Sequence, residues 1–126
     1  MTQKEINNLC KNSSIALDIF HSEVLVFFNR EDFNKVIEWR GHAPEYGGGG
    51  CVMRSTLEDA ESKETDDIFI IGIFNDKLST IVHESTHTAL MFCDFVGHNV
   101  VPTDEIVPYI TAYLYEEIIK LMGNIK

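Results

Sequence analysis

Basic residues are scarce in this chain. Lys and Arg together number 10 against 20 Asp and Glu, which leaves a formal net charge of -10 and a sequence pI near 4.8. Sequence-independent nucleic-acid binding needs Lys and Arg to neutralise phosphates, so that partner class is excluded, and anionic membranes are disfavoured for the same reason. Cysteine is sparse as well: Cys10, Cys51 and Cys93 are odd in number and widely spaced, which gives neither a disulfide framework nor a zinc finger. Cys93 reads as core. Cys51 follows a glycine run and reads either as a reactive thiol or as an ordinary free one. No apolar run approaches a membrane span, and the polar start Met1-Thr2-Gln3-Lys4-Glu5 has no apolar signal region behind it, so the expectation is a cytoplasmic protein. The hydrophobic fraction of 44% with 10% aromatics over 126 residues fits one globular domain, residues 1–126, with a single core.

What is present centres on Ile81-Val82-His83-Glu84-Ser85-Thr86-His87-Thr88-Ala89-Leu90, which holds the pattern HExxH in a run with helical periodicity. Histidines at i and i+4 lie one above the other on a helix, so both imidazoles can reach one tetrahedral zinc ion. Glu84 points to the side of that row, where it can take a proton from a metal-bound water without becoming a ligand. Turning about 100° per residue, Leu78, Ile81, Val82, Ala89, Phe92, Cys93 and Val96 gather on one face and the two histidines fall nearly opposite. The ligands would then face away from the core, whereas a histidine used for packing sits more often on the apolar face. Metal-assisted hydrolysis is the first hypothesis, and a pair of ordinary surface histidines is the bland one.

Along the chain, the first ten residues suggest a short polar helix. Ser14 to Phe20 and Glu23 to Phe28 read as two strands of a hairpin around His21-Ser22, with Val24, Val26 and Phe28 pointing one way. Asn29 can cap a helix from Arg30 to Trp39 whose Phe33, Val36 and Ile37 share a face, and Gly41 sits just past its end. His42 to Gly50 is a loop ending in four glycines, either a plain surface connection or a mobile flap near the site. It has no phosphate-loop lysine and no following helix, so a nucleotide site is not read there. Cys51 to Leu57 reads as a strand, Glu58 to Asp67 as a polar connection, ordered or disordered, and Asp67 to Phe74 as a strand buried on both faces. The motif helix is predicted from about Lys77 to Val96, started by Asn75-Asp76 and stopped by Gly97. A last helix begins at Thr103-Asp104-Glu105, carries Val107, Ile110, Leu114, Ile118 and Leu121 as its apolar stripe, and ends at Gly123. Pro108 demands either that Asp104 cap the helix or that its first turn be irregular.

A strand, an HExxH helix, a turn and a helix bringing an acidic residue make up the layout of the zincin metallopeptidases, and the chain resembles that fold from about Asp67 to Met122. Within that group it is most similar to the gluzincins, in which a glutamate on the following helix supplies the third zinc ligand; Glu105 matches that position. In length, and in the run from Ile68 through the motif to Glu105 and Ala112-Tyr113-Leu114, it also resembles small metallopeptidases encoded by tailed bacteriophages, which would make the compartment a host cytoplasm. The metzincin variant is set aside, because Leu90 stands where its glycine would be and Cys93 where its third histidine would be.

The resemblance implies an α+β, zincin-like fold: a small, mostly antiparallel sheet of three or four strands packed against the active-site helix, with the C-terminal helix alongside. It further implies Zn2+ held by His83, His87 and Glu105, and hydrolysis of a peptide or protein substrate with Glu84 as general base. Asp104, Asp94 and His98 also contend for the third ligand position, although Asp94 lies nearly two turns beyond His87 and is too far along the helix; Glu105 also has the simpler role of a solvated first-turn acid. No accessory domain builds a cleft, and the oxyanion partner is ambiguous: Tyr109 is chosen on helical geometry, with His42, Tyr46 and His98 as alternatives. Against the peptidase stands a second class, a non-catalytic binding or regulatory protein that keeps the zinc site for stability.

Overall fold

The computed structural model describes residues 2–17 and 22–125. In chain order these form α1 (Gln3–Cys10), β1 (Ser14–Leu17), β2 (Ser22–Phe27), α2 (Arg30–Trp39), β3 (Gly50–Glu58), β4 (Thr65–Ile73), α3 (Leu78–Phe95) and α4 (Ile106–Ile125). Local chemistry accounts for most of the boundaries. Thr2 and Glu5 close a capping box on α1, and the Asn29 side chain accepts from the Asp32 amide at 2.8 Å to start α2. Gly41 and Gly97, at φ of +89° and +75°, take the left-handed turns just past α2 and α3. Pro108 is harmless where it stands: the Tyr109 amide makes the bond to the Glu105 carbonyl at 3.1 Å, so the proline occupies a first-turn position that has no intrahelical acceptor. Asp104 accepts from the Ile106 amide at 2.7 Å and opens that turn.

The strands form one sheet in the order β1-β2-β4-β3. β1 pairs antiparallel with β2, Ser14 opposite Leu25, and β3 pairs antiparallel with β4, Cys51 opposite Gly72. The middle pair, β2 and β4, is parallel with Val24 opposite Phe69. The sheet is therefore mixed, because α2 and β3 intervene in the chain between β2 and β4 and carry the long crossover that parallel neighbours require. Both faces are covered. Val24, Val26, Phe69, Ile71 and Ile73 share a core with Ile81, Ala89 and Phe92 of α3 and with Ile110, Leu114 and Ile118 of α4. Leu25, Phe27, Ile68 and Ile70 face the other way, onto Ile6 of α1 and Phe33, Val36 and Ile37 of α2. The pleat alternation of β2 and β4 is what divides the two cores, and Tyr113 pins α4 to the first strand by donating to the Ala16 carbonyl at 2.8 Å.

Three expectations are corrected. The motif helix does not bury Leu78 and Val82, which are 54% and 45% exposed; its buried face is Ile81, Glu84, Ser85, Thr88, Ala89, Phe92 and Cys93. The acidic connection after β3 is a tight, ordered turn, in which the Asp59 carboxylate accepts from the Glu61 and Ser62 amides at 2.9 and 2.8 Å. Gly123 does not end the last helix, which continues to Ile125. The end of the first expected strand, residues 18–20, and its turn residue His21 lie outside the described residues. Among the described residues no helix is long and apolar enough to cross a membrane.

Candidate functional site

α3 brings His83, Glu84 and His87 together on the side of the helix next to the edge strand β3. The two imidazole Nε2 atoms lie 3.1 Å apart, and the rings meet edge to face at 79°. The His83 side chain is 67% exposed, while that of Glu84 is almost fully covered and sets its Oε1 3.8 Å from His83 Nε2. Burial pushes the Glu84 carboxyl above the usual carboxylate range, and the neighbouring His83 and His87 imidazoles pull the other way. A carboxylate at 5% exposure is the least expected feature of the site, because the helical pattern places Glu84 beside the histidine row and not in the buried face. Thr86 and Thr88 turn their hydroxyls back onto the Val82 and Glu84 carbonyls, each at 2.8 Å, so they serve the helix itself.

Glycine explains how Glu84 becomes covered. A side chain begun at Gly50 would meet the Gly72 carbonyl at 2.8 Å, Thr80 Cγ2 at 2.9 Å and Glu84 Cγ at 3.1 Å, so only a residue without Cβ lets α3 lie this close to the start of β3. Between them opens a cleft of about 490 Å³, with Gly48, Gly49 and Gly50 on one side and Thr80, His83 and Glu84 on the other. A second groove of about 380 Å³ runs along the opposite flank of the histidines, floored by Val82, Thr86 and Leu90. His83 thus stands on the ridge between two grooves. β3 is the last strand in the sheet order, and its first residue, Gly50, lines the cleft.

The remaining candidates are placed less closely. Glu105 stands exposed one residue ahead of α4 and Tyr109 is 64% exposed in its first turn. Among the described residues no third His, Cys, Asp or Glu joins the two histidines in a group that could hold a metal ion. Asp104 and His98 are hydrogen-bonded to each other, and that bond holds the Asp104 carboxyl below its ordinary range. His42 is on the wrong face. Its Nε2 lies 3.1 Å from the Ser55 hydroxyl, which also accepts from Arg40 Nε at 2.7 Å; by the strand alternation Ser55 faces α2, with Cys51 and Met53, and not the motif helix. Tyr46 is 77% exposed in the glycine loop, and Asp94 is exposed near the end of α3.

Cys51 follows the cleft residue Gly50 but faces the α2 side of the sheet, and it is not activated. Burial first, then the Glu45 and Glu84 carboxylates, push its thiol up to about 11 against the opposing pull of Arg30. Iodoacetamide should therefore modify Cys51 at pH 7.5 about tenfold or more slowly than an unperturbed thiol. A pH–rate curve for Cys51 that breaks near 8.5 would show the thiol to be ordinary.

The run of four glycines leaves two readings open, a plain surface connection or a flap near the site, and the structure puts Gly48, Gly49 and Gly50 in the cleft wall, while no sequence pattern points to Thr80. No family model matches this chain, and no curated protein or solved structure matches it either.

Proposed function

We propose that this chain is a zinc-dependent hydrolase of peptide bonds with a zincin-like, gluzincin-type site, in which His83 and His87 hold the metal, Glu105 completes the ligand set and Glu84 is the general base. The observation that carries this reading is the 3.1 Å separation of the two Nε2 atoms beside a buried carboxylate. Two imidazole nitrogens held at 2.0–2.1 Å by one tetrahedral zinc stand about 3.3 Å apart, so the spacing, which also fits a hydrogen bond between the two rings, supports a shared ion. Zinc bound there would act as a Lewis acid and lower the pKa of water toward about 7. Glu84 then has the role of accepting a proton at its carboxylate, and burial, which raises its affinity for protons, favours that role. β3, the last strand in the sheet order, could hold an extended peptide by backbone pairing along its outer edge.

Glu105 is preferred over its neighbours because Asp104 and His98 are already engaged with each other and with the start of α4, while Glu105 is exposed. The open position left by three protein ligands is what a catalytic zinc site needs.

Metal analysis after gentle purification, without chelator, tests the site. About one zinc per chain is expected, and His83→Ala should abolish tight binding, since one imidazole lost from a three-ligand site leaves too few donors. A wild-type chain that neither retains nor takes up zinc, and is unchanged by His83→Ala, would remove the metal reading. Glu105→Ala should weaken zinc binding by about 10- to 100-fold or more, and Asp104→Ala should weaken it far less. Equal, negligible losses would exclude Glu105 as a ligand.

A further inference from the structure

Four glycines in succession have more backbone freedom to lose on folding than any other tetrapeptide, so an ordered wall made of them needs anchors from elsewhere. Arg30, at the start of α2, provides one. Its guanidinium donates from one terminal nitrogen to the Glu45 and Gly47 carbonyls at 3.1 and 3.4 Å, and from the other to the Gly48 carbonyl at 2.8 Å. The same group lies 4.4 Å over the ring of Phe74, whose amide donates to the Gly49 carbonyl at 2.8 Å. Asn34 adds a two-way bond to the Glu45 backbone at 2.9 and 3.0 Å. We propose that Arg30 is a positioning residue for the candidate site: its forked guanidinium clasps the 45–48 backbone and so holds the glycine wall of the cleft against Glu84. This rests on the reading of that cleft as the active site, and it assigns a role to a residue on the far side of the loop from the motif helix. Three carbonyls spread across one planar fork are matched by Arg; a lysine would bring the charge but only a single point of contact.

Cys51, the residue after Gly50, reports on the wall without any substrate or metal. The test is the rate of iodoacetamide labelling at Cys51, Cys10 and Cys93, resolved by mass spectrometry, in metal-free wild type, Arg30→Ala and Arg30→Lys. Loss of the clasp should speed Cys51 labelling by about tenfold in both variants, the factor that loss of one charge-assisted hydrogen bond gives in a local opening equilibrium. Labelling of the core thiol Cys93 should stay at the wild-type rate. Electrostatics alone acts in the opposite sense, since removing a nearby cation disfavours the Cys51 thiolate and slows the reaction in Arg30→Ala. Cys51 labelling that is unchanged or slower in Arg30→Ala, or that stays at the wild-type rate in Arg30→Lys, overturns the proposal. So does acceleration of Cys93 in step with Cys51, or failure of both variants to fold, because either means that Arg30 supports the whole domain rather than this wall. Zinc uptake by wild type is measured separately, so a failure of the metal reading is distinguished from a failure of the clasp.

Discussion

Glu84→Gln should leave the fold and the histidine pair intact and lower peptide hydrolysis by about 100-fold or more, the usual contribution of a positioned general base. The substitution is isosteric, and it keeps a polar group in the cover made by Gly50 and Thr80. It removes only the ability to accept and return a proton. Zinc affinity should stay close to wild type, because Glu84 is proposed as a base and not as a ligand.

The stability of the metal-free variant gives an independent check with a fixed sign. The folded-state pKa of Glu84 is raised, chiefly by burial and against the pull of the His83 and His87 imidazoles, so folding favours the protonated acid. Below the unfolded value of about 4.3 the carboxyl is neutral in both states, and stability is lost as pH rises from there through the folded value. Glu84→Gln lacks that loss, so it should be at least as stable as wild type at pH 7, with the difference closing as pH is lowered toward about 4.3. The measurements are urea melts at several pH values and cleavage of a diverse peptide library, followed by mass spectrometry. Equal cleavage by wild type and variant would show that Glu84 is not the base. No cleavage by zinc-loaded wild type would favour the binding-protein alternative, in which the site has a structural use.

Phe69→Ala should be the most damaging single substitution in the core, with a cost of about 3–5 kcal/mol. Phe69 is fully buried on the inner strand β4, and its ring meets Phe92 and Phe95 of α3 edge to face at centroid distances of 6.1 and 6.4 Å. Its loss leaves a cavity between the sheet and the motif helix, against the Phe92 and Phe95 rings. A domain of ordinary stability has about 5–15 kcal/mol in all, so the urea midpoint should fall by more than about 1 M. A shift of a few tenths of a molar would mean that α3 does not rest on this ring.

Much of this architecture was legible in the chain itself. Asn29, Gly41 and Gly97 mark helix ends through local hydrogen bonding and backbone sterics, and the branched run from Ile68 to Ile73 marks an inner strand through its composition. The HExxH spacing alone puts His83 and His87 on one line. Those properties belong to a residue and its near neighbours, so sequence by itself determines them. The tertiary structure decided the rest. Helical periodicity locates an apolar stripe but not its limits, which depend on what lies opposite: bare Gly50 admits the Glu84 side chain, while Leu78 and Val82 stay half exposed. Strand pairing placed His42 on the α2 side of the sheet, because Ser55 falls on that side of the pleat. The parallel joining of β2 to β4 and the meeting of a glycine run with a glutamate more than thirty residues away follow from how the sheet closes. No local pattern encodes that closure, since it is the joint result of two cores packing on opposite faces of the same four strands.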